Sequence, residues 1–248
     1  MVVITSKIKC IGFDLYSTLI NTDDHNWEDM IRAVFPIVQN LGYKGTVDDF
    51  LKIQNDVYWK WRDYRERNHI EMESSIWWRE ILQQLKIKFS DAVISQIIIE
   101  SHKIWRTQIS LYSGVKELLK DLKKRYKLAL ISNIATGDLS RGDMEIFGIL
   151  DLFDLVVMSS DLKIRKPSPK IFEYVLNKLN IKKEEMIFIG DTLYDDIQGA
   201  KNAGLCMAVH IKRNRTYYFP DYYIKPDKTI FNLSEIYEIL KNLNRMKY

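Results

Sequence analysis

The chain has 248 residues, of which 46% are hydrophobic and 28% charged, and 37 basic against 33 acidic residues give a net charge of +4. That is enough apolar material for a sizeable core in one or two domains, and a charge too mild and too dispersed to mark a nucleic-acid-binding protein. No apolar run reaches the length that spans a bilayer, and Lys7 and Lys9 interrupt the early apolar residues so that no signal-peptide shape forms. A cytoplasmic protein without membrane association is therefore expected. The two cysteines, Cys10 and Cys206, lie in apolar strand-like runs and read as buried, reduced thiols.

In chain order, a first strand is predicted over 7–14, ending in the apolar stretch Ile11-Gly12-Phe13 and closed by Asp14. From Thr22 to Gln108 no strand is expected. Four amphipathic stretches, 24–41, 47–67, 74–85 and 91–108, instead repeat apolar residues at steps of three and four. Asp48 and Asp91 lie near their helix starts, and Gly42 and Gly45 punctuate a turn. After Ser113-Gly114 helices alternate with apolar strands: helix 115–125 and strand 128–131, helix 138–147 and strand 155–158, helix 168–179 and strand 186–189, helix 194–203 and strand 206–209. A short strand near 222–224 and a closing helix over 233–243 complete the chain. Strands apolar throughout and separated by helices predict a doubly wound, Rossmann-like parallel α/β sheet covered on both faces. The helical stretch interrupts this sheet as an inserted all-helical module, so the expected domains are 1–20 with 110–248 and, between them, 21–109.

In such sheets the ligand site lies beyond the carboxyl ends of the strands. Asp14, Tyr16 and Thr18 follow the first strand, Ser132 and Asn133 follow Ile131, Lys166 follows the strand ending in Met158 after a loop, and Asp191, Asp195 and Asp196 follow Ile189. A carboxylate nucleophile, a hydroxyl with loop amides, a lysine and an acidic cluster suit phosphoryl transfer. A dianionic phosphate approaches a carboxylate only with cations nearby. Ser132 and the Asn133 amide suit phosphate oxygens, and Asp14 with Asp191 offers hard oxygen ligands for Mg²⁺.

Four segments in this order resemble the haloacid dehalogenase superfamily: Phe13-Asp14-Leu15-Tyr16-Ser17-Thr18-Leu19, Ile131-Ser132-Asn133, Lys166-Pro167-Ser168-Pro169, and Gly190-Asp191-Thr192-Leu193-Tyr194-Asp195-Asp196. The helical insertion matches the position of that family's first type of cap. The resemblance implies that Asp14 attacks phosphorus to form an aspartyl-phosphate that water hydrolyses. It implies Mg²⁺ held by Asp14, Asp191 and the main-chain oxygen of Tyr16, with Asp196 steadying the outer shell of the metal. Ser132 and Asn133 would bind the phosphoryl group, Lys166 would neutralise charge on it and on Asp14, and Tyr16 would border the substrate.

Tyr16 departs from the pattern. Phosphatases of the family carry there an Asp that protonates the leaving group and later activates water; a tyrosine, whose phenol ordinarily titrates at about pH 10, is a poor base near neutrality. Tyr16 instead resembles the 2-haloacid dehalogenase branch, in which halide leaves without a proton. Asp191, Asp195 and Asp196 point the other way, because the metal-free dehalogenases have Ser and Asn in that segment and clustered carboxylates repel without a cation. A Mg²⁺-dependent phosphatase of a small phosphorylated metabolite ranks first, a dehalogenase of a small halogenated acid second, and a catalytically weakened binding module third. Monomer and homodimer remain open. Bland readings stand beside these: Asp14 alone is also a turn cap, and Asp195 is a first-turn acid favoured by a helix dipole. The tryptophans and arginines of the insertion are mostly its core, with Trp59, Arg62 and Arg79 the candidates to face a substrate. The four histidines, His25, His69, His102 and His210, show no metal-ligand spacing.

Overall fold

The computed structural model describes residues 8–213 and 224–245. In chain order the elements are β1 (Cys10–Phe13), β2 (Ile20–Asn21), α1 (Trp27–Asn40), α2 (Val47–Asn68), α3 (Ser74–Gln84), α4 (Asp91–Thr107), β3 (Ser110–Leu111), α5 (Val115–Lys123), β4 (Lys127–Ser132), α6 (Gly137–Ile146), β5 (Leu155–Met158), α7 (Ser159–Leu162), α8 (Pro169–Leu179), β6 (Met186–Gly190), α9 (Gly199–Asn202), β7 (Met207–Ile211), β8 (Lys228–Ile230) and α10 (Ile236–Arg245). The chain divides into two compact units, Met1–Asn21 with Leu111–Tyr248, and Thr22–Ser110. No helix among the described residues is long and apolar enough to cross a membrane.

The first unit is built on a six-stranded parallel sheet in the order β5-β4-β1-β6-β7-β8. Its central strands are buried on both faces, as their unbroken apolar runs require. On one face Cys10, Ala129, Ile131, Met186 and Phe188 pack against Ile171, Phe172 and Val175 of α8 and Ala200 of α9. Phe172 meets Phe188 edge to face at 5.1 Å, a favoured arrangement of aromatic quadrupoles. The side chains of the opposite pleat, such as Ile11, Phe13, Leu130 and Ile187, are fully buried as well. Pro169 opens α8, where its missing N–H has no partner to lose, and Asn180 ends it in the left-handed conformation at φ 50°.

The second unit is a four-helix array. Thr46 and Asp49 form a reciprocal capping box at the start of α2, so Thr46 caps the helix and Asp48 lies in its first turn, as expected. The interior is built from Val34, Val38, Phe50, Val57, Ile81, Leu82, Ile94 and Ile97. Trp77 and Trp78 are buried in it, whereas Trp27 is exposed. Arg65 and Glu71 form a buried ion pair at 2.9 Å, and the Arg65 guanidinium lies over the Trp77 ring at 4.8 Å. Arg79 pairs with Asp91 at 2.6 Å and Arg62 lies over Trp59 at 4.9 Å. His25 meets the Trp105 ring edge-on at 4.4 Å, and His102 is buried.

Several elements differ from expectation in type or bounds. The helix predicted over 194–203 is a π-helical turn, Leu193–Gln198, followed by the short α9. The strand expected over 206–209 starts at Met207, leaving Cys206 half-buried ahead of it. A short helix, α7, occupies what reads as plain loop after Met158. The tail strand expected near 222–224 falls mostly on residues outside those described, as does Tyr217-Tyr218-Phe219-Pro220; the outer strand of the sheet is Lys228–Ile230. An isolated three-residue strand carries too little periodicity to stand out.

Candidate active site

Parallel register sets the layout. Phe13 lies level with Leu130 of β4 and Ile189 of β6, so the next residue, Asp14, comes level with Ile131 and Gly190. The Asp14 N–H donates to the Ile189 carbonyl at 2.9 Å, extending the ladder by one rung. Ser132 and Asp191 follow one residue later on the two flanking strands. β1 is where the order of strands reverses, with β4 on one side and β6 on the other. That reversal leaves a crevice beyond the strand ends.

Lys166 is the hub. It is 1% exposed, and its ammonium donates to Asp14 Oδ1 at 2.7 Å, the Ile131 carbonyl at 2.7 Å and Asp196 Oδ1 at 2.6 Å. Three protons thus meet three acceptors. The lysine arrives on a loop that Asn133 holds at both ends of its carboxamide: Oδ1 accepts the Lys166 N–H at 2.8 Å and Nδ2 donates to the Lys166 carbonyl at 3.0 Å. Ser132 Oγ donates to Asp14 Oδ1 at 3.1 Å.

The π-helical turn explains how Asp196 reaches the lysine. The Ile197 N–H bonds back five residues to the Thr192 carbonyl, widening the turn. Asp196 Oδ2 then accepts the Thr192 N–H at 2.9 Å and the Thr192 hydroxyl at 2.7 Å, leaving Oδ1 for Lys166. Only glycine fits at position 190, because a Cβ there would lie 2.2 Å from Asp196 Cγ. Asp195 sits half-buried in the same turn.

The charges constrain one another. Burial pushes the Asp14 carboxyl upward, the Lys166 charge pulls it back down, and the Asp196 charge raises it again. Burial works against the Lys166 ammonium, but Asp14 and Asp196 outweigh it and hold the lysine above its ordinary value. One carboxylate oxygen from each of Asp14, Asp191 and Asp196 lies within 4.8 Å of the others. All three residues are buried, and one ammonium serves two of them. When all four groups are ionised, two negative charges remain in a site with little water, a state that a bound hard cation relieves.

Three residues join the site to which sequence reading gave no role. Thr18 Oγ1 donates to Asp191 Oδ1 at 3.3 Å. His210, read from the sequence as ordinary, is level with Gly190 on β7 and its Nε2 lies 3.0 Å from the Asp191 carbonyl. Arg213 donates to the carbonyls of Ser17 at 2.9 Å and Thr18 at 2.7 Å, and its guanidinium lies 3.7 Å from the Tyr112 ring centroid. Ser17 adopts φ 61°, a left-handed conformation costing a non-glycine residue about 1–3 kcal/mol, and the Arg213 contacts hold it. Its place shortly after a strand end is the only sequence signal that pointed towards Thr18. Tyr16 is turned to α6, where its hydroxyl lies 2.7 Å from Asp143 Oδ2 and 3.1 Å from Ser140 Oγ.

The family model of haloacid dehalogenase-like hydrolases matches residues 8–204, most of the chain. The chain belongs to the haloacid dehalogenase-like hydrolase family. This hydrolase is 27% identical over 224 residues to human N-acylneuraminate-9-phosphatase, covering 84% of each chain. It is 30% identical over 202 residues to glyceraldehyde 3-phosphate phosphatase of Pyrococcus furiosus, covering 80% of this chain and 79% of that one. Its fold matches a 2-haloacid dehalogenase from Pseudomonas syringae with a TM-score of 0.69 at 24% identity, over 95% of this chain and 99% of that one. A phosphatase of the same family from Thermococcus onnurineus matches with a TM-score of 0.67 at 23% identity, over 94% and 98%.

Proposed function

We propose that this hydrolase is a Mg²⁺-dependent phosphatase of a small phosphorylated metabolite, working through an aspartyl-phosphate on Asp14. The observation that carries the reading is the buried group of three carboxylates with one lysine at the strand ends. Asp14 and Asp191 would hold Mg²⁺ together with the Tyr16 main-chain oxygen, and Asp196 would support them. Bound there, the metal supplies positive charge that lets a phosphate dianion meet a carboxylate. Asp14 would attack phosphorus through a carboxylate oxygen, with Lys166 and Ser132 hydrogen-bonded to Oδ1. Lys166 neutralises charge on Asp14 and on the transferring group. Ser132 and the Asn133 backbone N–H orient the phosphoryl oxygens. The phosphatase names of two relatives aligned over most of the chain support the same chemistry.

The test is hydrolysis of 4-nitrophenyl phosphate with and without Mg²⁺, comparing wild type with Asp14→Asn. The expected result is activity that needs the metal and is lost in the variant; equal rates for the two proteins would refute the reading. A dehalogenase is the second reading, favoured by Tyr16 in the turn after Asp14. Its prediction is halide release from 2-chloropropionate in EDTA, and absence of halide removes it. A buried cluster of three carboxylates is difficult to sustain without a cation, which ranks this reading below the first.

A further inference from the structure

We propose that Tyr16, locked by Asp143 and Ser140, sets the leaving-group specificity of this site. The site takes phosphoryl donors whose leaving group departs as a stable anion, such as acyl phosphates, diphosphates and aryl phosphates, in preference to alkyl phosphate esters. The inference rests on the phosphatase reading and names its substrate class.

The donors at the strand ends have few protons to give. A phenol has one proton, and two acceptors compete for that of Tyr16. Asp143 Oδ2 is the closer at 2.7 Å, against 3.1 Å for Ser140 Oγ. A bond to a carboxylate is also about twice as strong as a neutral one. The proton therefore points at Asp143, and the Ser140 hydroxyl can donate to the Tyr16 oxygen. Asp143 and Ser140 are 1% and 2% exposed, so water does not compete for them. They stand three residues apart on one face of α6 and grip the ring as a pair.

The neighbouring donors are committed too. Lys166 spends its three protons on Asp14, Ile131 and Asp196. The hydroxyls of Ser132, Thr18 and Thr192 point to Asp14, Asp191 and Asp196 respectively. Asp196 accepts three hydrogen bonds, from Lys166 and from the Thr192 N–H and hydroxyl. Among these residues of the sheet unit, no acidic proton is left for a departing alkoxide. The first step is then an unassisted exchange. An Asp14 oxygen bonds to phosphorus, the bond from phosphorus to the leaving oxygen breaks, and that oxygen keeps the electron pair and takes its proton from solvent afterwards. In the second step water bonds to phosphorus, the bond to Asp14 breaks, and the carboxylate returns with inorganic phosphate and a proton released.

The test compares acetyl phosphate with ethyl phosphate, two probes of nearly equal size, alongside 4-nitrophenyl and phenyl phosphate, all with Mg²⁺ and corrected for spontaneous hydrolysis. General acid catalysis is worth about 10²–10⁴-fold, so in wild type kcat/KM for acetyl phosphate should exceed that for ethyl phosphate by at least about 100-fold. Tyr16→Asp should narrow that ratio at least tenfold by raising the ethyl phosphate rate. Tyr16→Phe, whatever its absolute rate, should keep the wild-type ratio within about threefold, because a locked phenol gives its proton to neither substrate. A wild-type ratio below about ten, or a ratio widened more than tenfold in Tyr16→Phe, overturns the proposal while leaving the phosphatase reading standing. No hydrolysis of any probe by any of the three proteins overturns both.

Discussion

Replacing Gly190 by alanine adds one methyl group at the end of β6, and its consequences can be worked through in distances. The new Cβ would stand 2.2 Å from Asp196 Cγ and 2.4 Å from Oδ2, where ordinary contact begins at 3.4 Å. The carboxyl must retreat by about 1.2 Å, since the methyl sits on backbone fixed by the sheet. A retreat of that size is enough to break the Lys166 Nζ–Asp196 Oδ1 bond, 2.6 Å long, and to disturb the two bonds from Thr192. The Lys166 ammonium keeps its Asp14 partner, so the loss is that of one charge-assisted hydrogen bond, about 1.5–3 kcal/mol. A displacement of about 1 Å near reacting groups also lowers rate by about 10²-fold. Urea unfolding should therefore show a midpoint lowered at constant slope, and hydrolysis of 4-nitrophenyl phosphate should fall by about two orders of magnitude. A variant destabilised by less than about 1 kcal/mol with wild-type kinetics would show that Asp196 moves freely and that Lys166 does not depend on it.

Four further outcomes are expected. Adding Mg²⁺ should raise the thermal midpoint, by an amount equivalent to about 2.7 kcal/mol at a hundred times the dissociation constant, and Asp191→Asn should remove most of that shift. Thr46→Ala should cost about 1 kcal/mol in urea unfolding at pH 7 through loss of the α2 cap. The Thr46 side-chain and backbone hydrogen bonds hold the Asp49 carboxyl below its usual range, so its contribution is present above about pH 3.9 and is lost as pH falls through the folded value; the gap between wild type and Thr46→Ala should narrow at pH 3. Cys10 is pushed up to about 12 by burial and then by the Asp154 charge, so native alkylation by iodoacetamide at pH 8 should label the half-buried Cys206 well before Cys10, as read by mass spectrometry. Arg65→Ala should destabilise the helical unit by about 3–5 kcal/mol because Glu71 stays buried without the guanidinium charge, and a partial unfolding transition by circular dichroism would report it.

The alternation of helix and strand was legible because strands buried on both faces are apolar without interruption. Helices must instead repeat at three and four, so the two patterns separate over windows of ten residues. The same logic located the polar residue after each strand, and Asp14, Ser132, Lys166, Asp191 and Asp196 do converge. Short elements escaped it. The three-residue β8, the four-residue α7 and the π-helical turn are decided by bonds such as Ile197 N–H to the Thr192 carbonyl, which leave no periodic trace. The roles of Thr18, His210 and Arg213 escaped for another reason: each is unremarkable in its own segment and gains meaning only from a neighbour on another strand.

The sequence by itself determined which residues stand at strand ends and that a tyrosine occupies the second position after Asp14. Both are local properties, carried by side-chain type and spacing. Tertiary structure alone decided that β1 lies between β4 and β6, which brings Ser132 and Asp191 to either side of Asp14. It also decided where the Tyr16 proton goes. Ser140 and Asp143 are 124 and 127 residues away in the chain, and only the packing of α6 sets them within a hydrogen bond of the phenol. A departure visible in one residue thus became a specific arrangement of donors and acceptors, because hydrogen bonds depend on distance in space and not on separation along the chain.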